Sequence, residues 1–221
     1  MVLKKHIFLF IIFFLFILFF FIKLNGKYIE NFKSSKKIIL MGDSVFDNEK
    51  YVKNDNIKKI IKKNKNIDLL FLARDDSVIN NISEQKNKIE ETFNNENVDC
   101  FISIGGNDLL NKYENNYNLN YQNGKEKELE IIWNKYEKTI IDLNKFKFNI
   151  ILLDVYFPPT MSMYFDIIKK WNEKLYEFVE NNNFKILKVS DLLKTKKDFI
   201  DKIEPSKIGS KKIAKKVMEF K

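Results

Sequence analysis

A three-layer α/β domain on a parallel sheet, preceded by an N-terminal membrane helix, is the fold class this sequence predicts. Three observations predict it. Five short apolar runs, Ile38–Met41, Ile67–Ala73, Val98–Ile104, Phe148–Tyr156 and Phe184–Val189, are rich in Ile, Leu, Val and Phe. Their near-continuity is the pattern of strands buried on both faces. Segments of helical periodicity separate them, at 52–64, 78–96, 126–146, 162–182 and 207–220. Strands alternating with helices argue a parallel sheet covered on both sides. The third observation is residues 7–22, IFLFIIFFLFILFFFI, with no polar residue among them.

That apolar run makes a helix of about 24 Å, slightly short of a ~30 Å hydrocarbon core. Flanking Val2, Leu3 and Leu24, with snorkelling lysines, extend it. No small-residue cleavage site follows, so an uncleaved single-pass anchor is favoured over a removed signal peptide. Residues 1–24 are thus read as the anchor, 25–37 as a polar tether and 38–221 as the folded domain. Signal-anchor logic places that domain on the extracytoplasmic or luminal side. The longest irregular stretch, Leu110 to Gly124, carries Tyr113, Tyr117 and Tyr121 and reads equally as a pocket-shaping loop or a surface insertion.

Composition narrows the chemistry. Hydrophobic residues make up 45% and charged residues 31%, which excludes a disordered chain. The one cysteine, Cys100, excludes an internal disulfide framework. It lies in the third strand and reads as a small buried hydrophobe. The one histidine is His6, beside the membrane run. A Cys/His zinc site is therefore excluded, and so is a histidine base in the domain. Neither a metal nor a cofactor is expected. Lys and Arg exceed Asp and Glu by 39 to 30, a formal charge of +9, but the only arginine is Arg74. Nucleic-acid readers favour arginine for bidentate contacts, and no basic cluster with stacking aromatics is present, so no nucleic-acid partner is expected. The lysines leave open a peripheral module for anionic surfaces.

Two turns carry the candidate chemistry. The first strand ends in Met41-Gly42-Asp43-Ser44, which leaves a serine at the carboxyl edge of a sheet, where ligands of open α/β folds bind. Such a serine also suits a helix cap. The third strand ends in Gly105-Gly106-Asn107-Asp108, where Asn107 offers a side-chain N–H. Donors of this kind stabilise the oxyanion in acyl transfer. In a sheet ordered 2-1-3-4-5 the two turns share one crevice.

With these blocks and a third, Asp201-Lys202-Ile203-Glu204-Pro205-Ser206, the chain resembles the SGNH (GDSL-type) hydrolases from about Ile38 to its end. It looks most similar to members reading Gly-Asp-Ser-(Ile/Val)-Phe-Asp-Asn early, here Gly42 to Asn48, and Ile-Glu-Pro-Ser late. The resemblance implies a flavodoxin-like sandwich with a parallel five-stranded sheet. It implies hydrolysis of a small-molecule, lipid or carbohydrate ester, with Ser44 as nucleophile. The oxyanion hole would comprise the Ser44 N–H, Asn107 and a backbone N–H after strand two, at Asp75 or Asp76. The family's Asp-x-x-His becomes Asp201 and Glu204.

Glu204 is then either a carboxylate base supported by Asp201, or merely a residue at the start of the last helix. In the first case the two acids titrate together and activity favours mildly acidic pH. In the second the helix dipole lowers the Glu204 pKa, and the chain is a degenerate binding protein. Tyr156 and Phe157, at the end of strand four, are candidate substrate contacts. Asp47 and Asn48 are expected to organise the nucleophile loop, and Trp171 and Asn172 to pack in the core.

Overall fold

The structure is a computed structural model describing residues 16, 17, 19, 20, 35–114 and 122–220. Residues 1–35 and 36–221 are separate compact units. In the first, Phe16, Ile17, Phe19 and Phe20 are helical with exposed side chains. The rest of the expected membrane segment, and the tether up to residue 34, lie outside the described residues. No helix among the described residues is long and apolar enough to cross a membrane.

The second unit holds a five-stranded parallel sheet, β1 (Lys36–Gly42), β2 (Ile67–Phe71), β3 (Val98–Ser103), β4 (Asn149–Leu153) and β5 (Lys185–Leu187). Its order is β2-β1-β3-β4-β5, the order under which the turns after β1 and β3 share one crevice. A two-residue hairpin of β6 (Phe199–Ile200) and β7 (Glu204–Pro205) stands apart. The helices are α1 (Ile57–Lys62), α2 (Ile82–Lys86), α3 (Gly106–Glu114), α4 (Gln122–Leu143), α5 (Phe165–Asn182) and α6 (Lys207–Met218).

The apolar runs become central strands because both their faces are covered. In β1, Ile39 and Met41 enter one core and Ile38 and Leu40 the other, all fully buried. The alternation follows from the two-residue period of a strand. On the first side, Trp133 and Tyr136 of α4 meet Trp171 of α5 edge to face, with ring centroids 5.2 and 5.1 Å apart. On the second, Ile57 and Ile61 of α1 pack with Ile213, Ala214 and Val217 of α6. Among the described residues, both cores are drawn from residues 36–221.

Three segments differ from the periodicity reading. The helix expected over 52–64 begins at Ile57, where the Asn56 carboxamide accepts the Lys59 N–H at 2.9 Å and caps it. The one expected over 78–96 breaks into α2 and two single 3₁₀ turns, at Ile79–Asn81 and Glu91–Phe93. Asn81 folds back onto the Val78 N–H at 2.9 Å, a local bond that competes with a continuous helix. The expected loop from Leu110 is helical through Glu114, with Tyr113 buried. Tyr117 and Tyr121 lie outside the described residues.

The close approach of β1 and β3 requires glycine at position 42. Its φ is +120°, and a Cβ there would lie 1.7 Å from the Ser103 carbonyl oxygen. Gly42→Ala is therefore expected to destabilise the domain by about 3 kcal/mol or more, through backbone strain and overpacking together. Urea denaturation measures it; an unchanged midpoint would show that the strands separate freely.

Candidate active site

The Gly42 backbone is held from both sides. Its N–H donates to Gln85 Oε1 at 2.7 Å, and Gln85 Nε2 donates to its carbonyl at 2.8 Å. Beyond it the Asp43 N–H donates to the Ser103 carbonyl at 3.0 Å, which joins the nucleophile turn to β3. Asp43 Oδ1 accepts the Val45 N–H at 3.1 Å and the Ser103 hydroxyl at 3.0 Å. These bonds turn the chain sharply and leave the Ser44 hydroxyl at the carboxyl edge of the sheet. Gln85 carries no recognisable sequence signal, since it lies 43 positions from its partner.

Ser44 Oγ donates to Glu204 Oε1 at 3.1 Å, across 160 positions of sequence. Both residues are buried, and Glu204 Oε2 has no hydrogen-bond partner among the described residues. Burial pushes the Glu204 carboxyl up to about 7; its bond to Ser44 opposes the rise, and the negative charges of Asp75, Asp76 and Asp201 add to it. The Glu204 side chain does not cap the last helix. That helix is capped by Ser206, whose hydroxyl accepts the N–H groups of Ile208 and Gly209 at 3.1 and 3.3 Å. Glu204 stands two residues earlier, in β7, and desolvation dominates its titration.

Asn48 holds this carboxylate's backbone. Its Nδ2 donates to the Pro205 carbonyl at 3.1 Å and to Ser210 Oγ at 2.6 Å, and its Oδ1 accepts the Ile57 N–H at 3.4 Å. Asn48 thus organises the nucleophile loop, and it also ties that loop to β7 and α6. Asp47 Oδ2 accepts the Asp75 N–H at 3.1 Å.

Other predicted site residues fall differently. Asp201 is exposed, with φ +54°, and makes no hydrogen bond to Glu204 among the described residues. It acts on Glu204 through charge alone. The reason is geometric: the tight turn between β6 and β7 places its side chain outward. Asp76 takes φ +58°, the left-handed conformation that glycine favours and that Asp tolerates. Its N–H is not free, however, because it donates to Asp75 Oδ1 at 3.0 Å. The Asp75 N–H is taken by Asp47. The expected third oxyanion donor is therefore occupied in this structure.

Asn107 and Ser44 do line one cleft. Asn107 Nδ2 donates to the Ser77 carbonyl at 2.9 Å, which uses one of its two N–H bonds. The Ser44 N–H has no partner among the described residues. The preceding turn is fitted to its neighbour: Gly105 has φ +108°, and a Cβ there would sit 2.4 Å from the Trp171 ring. Tyr156 lines the cleft. Phe157 does not; as the chain leaves β4 its ring turns away to meet Phe165 edge to face, 5.3 Å between centroids. Asn172 holds that exit by bonds to the Val155 N–H and carbonyl, at 2.9 and 2.7 Å. Cys100 and Trp171 are core residues.

A second buried carboxyl flanks the serine. Desolvation raises Asp43 to about 7, opposed by its bonds to Val45 and Ser103 and supported by the Glu204 charge. Glu204 and Asp43 rise from ordinary values of 4.5 and 3.8. Between about pH 4.5 and 7 the folded protein thus binds more protons than the unfolded chain, so stability falls as pH rises through this window. Glu204→Gln removes the Glu204 share. At pH 8 the variant is expected to be more stable than the parent, by on the order of 2 kcal/mol, with little gain at pH 4. Thermal denaturation across this range checks it, and an equal effect at both pH values would contradict the account.

No protein-family model matches the sequence, and no curated protein matches it. Solved structures do. A lipolytic G-D-S-L family protein from Veillonella parvula superposes with a TM-score of 0.63 at 16% identity, covering 83% of this chain and 97% of that one. The psychrotrophic esterase EstA from Pseudoalteromonas superposes with 0.59 at 12% identity, covering 83% and 94%. An acetylxylan esterase from Geobacillus stearothermophilus superposes with 0.59 at 14%, covering 85% and 96%. The chain therefore has the fold of the lipolytic G-D-S-L proteins and their esterase relatives.

Proposed function

We propose that this protein is a serine ester hydrolase in which Glu204 replaces the histidine base. The observation that carries the reading is the 3.1 Å bond from Ser44 Oγ to a buried carboxyl raised to about 7. A general base works best when its pKa is near the operating pH, and this distance is within hydrogen-bond reach. Ionised Glu204 takes the Ser44 proton as Oγ attacks the ester carbonyl. The tetrahedral oxyanion is met by the Ser44 N–H and the remaining Asn107 N–H. Protonated Glu204 then gives its proton to the leaving alcohol, and a water molecule repeats the sequence on the acyl-serine. Asp201, Asp75 and Asp76 support the base by raising its pKa rather than by touching it.

The raised pKa moves the expected pH preference from mildly acidic to neutral or above. Turnover of a neutral aryl ester is expected to rise about tenfold per pH unit below about 7 and then level. Ser44→Ala abolishes it, and Glu204→Gln lowers it by roughly 10²–10⁴. Asn107→Ala lowers it by roughly 10²–10³. Asp201→Asn shifts the limb to lower pH without removing it. Turnover indifferent to Ser44→Ala and Glu204→Gln would overturn the reading. The rival, a binding protein that has lost turnover, is favoured by the occupied N–H groups of Asp75 and Asp76, and it predicts no serine-dependent hydrolysis at any pH. In the same reading residues 7–22 anchor the enzyme in a membrane, with the domain on the extracytoplasmic or luminal side.

A further inference from the structure

The two helical layers of the sandwich differ in charge. α1 and α6, which pack together over one face of the sheet, carry eight lysines and no acidic residue, a formal charge of +8. α4 and α5, over the other face, carry seven lysines and nine acidic residues, a formal charge of −2. A lysine-rich composition alone would charge both layers alike. The solvent stripe of α6 holds Ile208 and five lysines, while Ile213, Ala214 and Val217 face the core. Acids from outside the two helices pair with three lysines of the layer, Glu49 with Lys59 at 2.7 Å, Asp55 with Lys207 at 2.6 Å and Asp198 with Lys212 at 2.7 Å. Lys62, Lys211, Lys215 and Lys216 are exposed and have no ion-pair partner among the described residues.

Stability does not account for this stripe. Lysines four positions apart on one helix face repel, as Lys207, Lys211 and Lys215 do. Lys207 also stands in the first turn, which holds no acidic residue, and there a positive charge opposes the helix dipole. An anionic surface laid against the layer removes both penalties. Lipid suits these residues best among such surfaces. Neither helix contains an arginine or an aromatic residue, the groups that nucleic-acid binding uses for bidentate contacts and base stacking. Ile208, 47% exposed among the lysines, offers apolar area to a headgroup boundary. We infer that the layer of α1 and α6 docks on the surface of a bilayer rich in anionic phospholipid. The apolar run 7–22, proposed above as an anchor, is a second membrane-directed signal in the same chain. The lysine layer depends neither on that anchor nor on the hydrolase reading.

The test is a lysine footprint. The full chain is added to phosphatidylcholine vesicles with and without about one-third phosphatidylglycerol, acetylated with a membrane-impermeant reagent and read by mass spectrometry. On the anionic vesicles at about 0.05 M salt, Lys62, Lys211, Lys215 and Lys216 are expected to react about fivefold more slowly than on neutral ones, with Lys127 and Lys138 of α4 unchanged. The protection is expected to vanish at about 0.5 M salt. Lys211→Gln, Lys215→Gln and Lys216→Gln together are expected to abolish the protection of Lys62, since Gln keeps the helix propensity and removes the charge. Lys127→Gln, Lys138→Gln and Lys169→Gln together are expected to leave it. Equal protection on both kinds of vesicle, or protection that spreads to Lys127 and Lys138, overturns the inference. Poly-uridylate or polyglutamate protecting the same lysines as well as the vesicles do at matched charge also overturns it, in favour of a soluble polyanion. Binding to neutral vesicles with no added protection on anionic ones keeps the anchor and refutes the lysine layer. Binding to anionic vesicles alone, with the protection, refutes the anchor and keeps the layer; binding to neither refutes both.

Discussion

A carboxyl buried against a serine, with no cation paired to it among the described residues, is the constraint around which the site is organised. Glu204 has one hydrogen bond, from Ser44, and one oxygen without a partner among the described residues. Three further carboxylates add negative potential. Left alone, such a group would swing to solvent or drag water in. The hairpin of β6 and β7, and the Asn48 bonds to Pro205 and Ser210, keep its backbone fixed while the side chain stays desolvated. The penalty falls on the ionised form and appears as a carboxyl that titrates near neutral pH rather than near 4.5.

The fold brings this group to the serine through strand adjacency. The order reverses between β1 and β3, so the turns after both strands open on one crevice. Gly42 lets those strands close, and Gln85 holds the N–H and the carbonyl of the same residue. The last helix then docks on α1 through Ile213, Ala214 and Val217 against Ile57 and Ile61, which carries β7 to the opposite lip. Core packing far from the cleft thus sets a distance within it.

The architecture was legible because it is local and periodic. Apolar runs buried on both faces read as central strands, and the blocks around Ser44, Asn107 and Glu204 read as one crevice once the strand order is assumed. The positions of Asp201 and Phe157 were not legible, since neither spacing nor composition says which way a turn residue faces. The occupied N–H of Asp76 depends on the Asp75 side chain, and the Gln85 clamp depends on a contact 43 positions away. The pKa of Glu204 was legible only as two opposed forces, dipole and burial. The placement of Ser206 as the cap decides between them, because it leaves Glu204 outside the helix start.

The most direct measurement is a carbon NMR titration of the Glu204 carboxyl in the parent protein and in Ser44→Ala. The expected midpoint is near 7 and moves further upward in the variant, because the serine hydroxyl stabilises the carboxylate. A midpoint near 4.5 that ignores the substitution would contradict it.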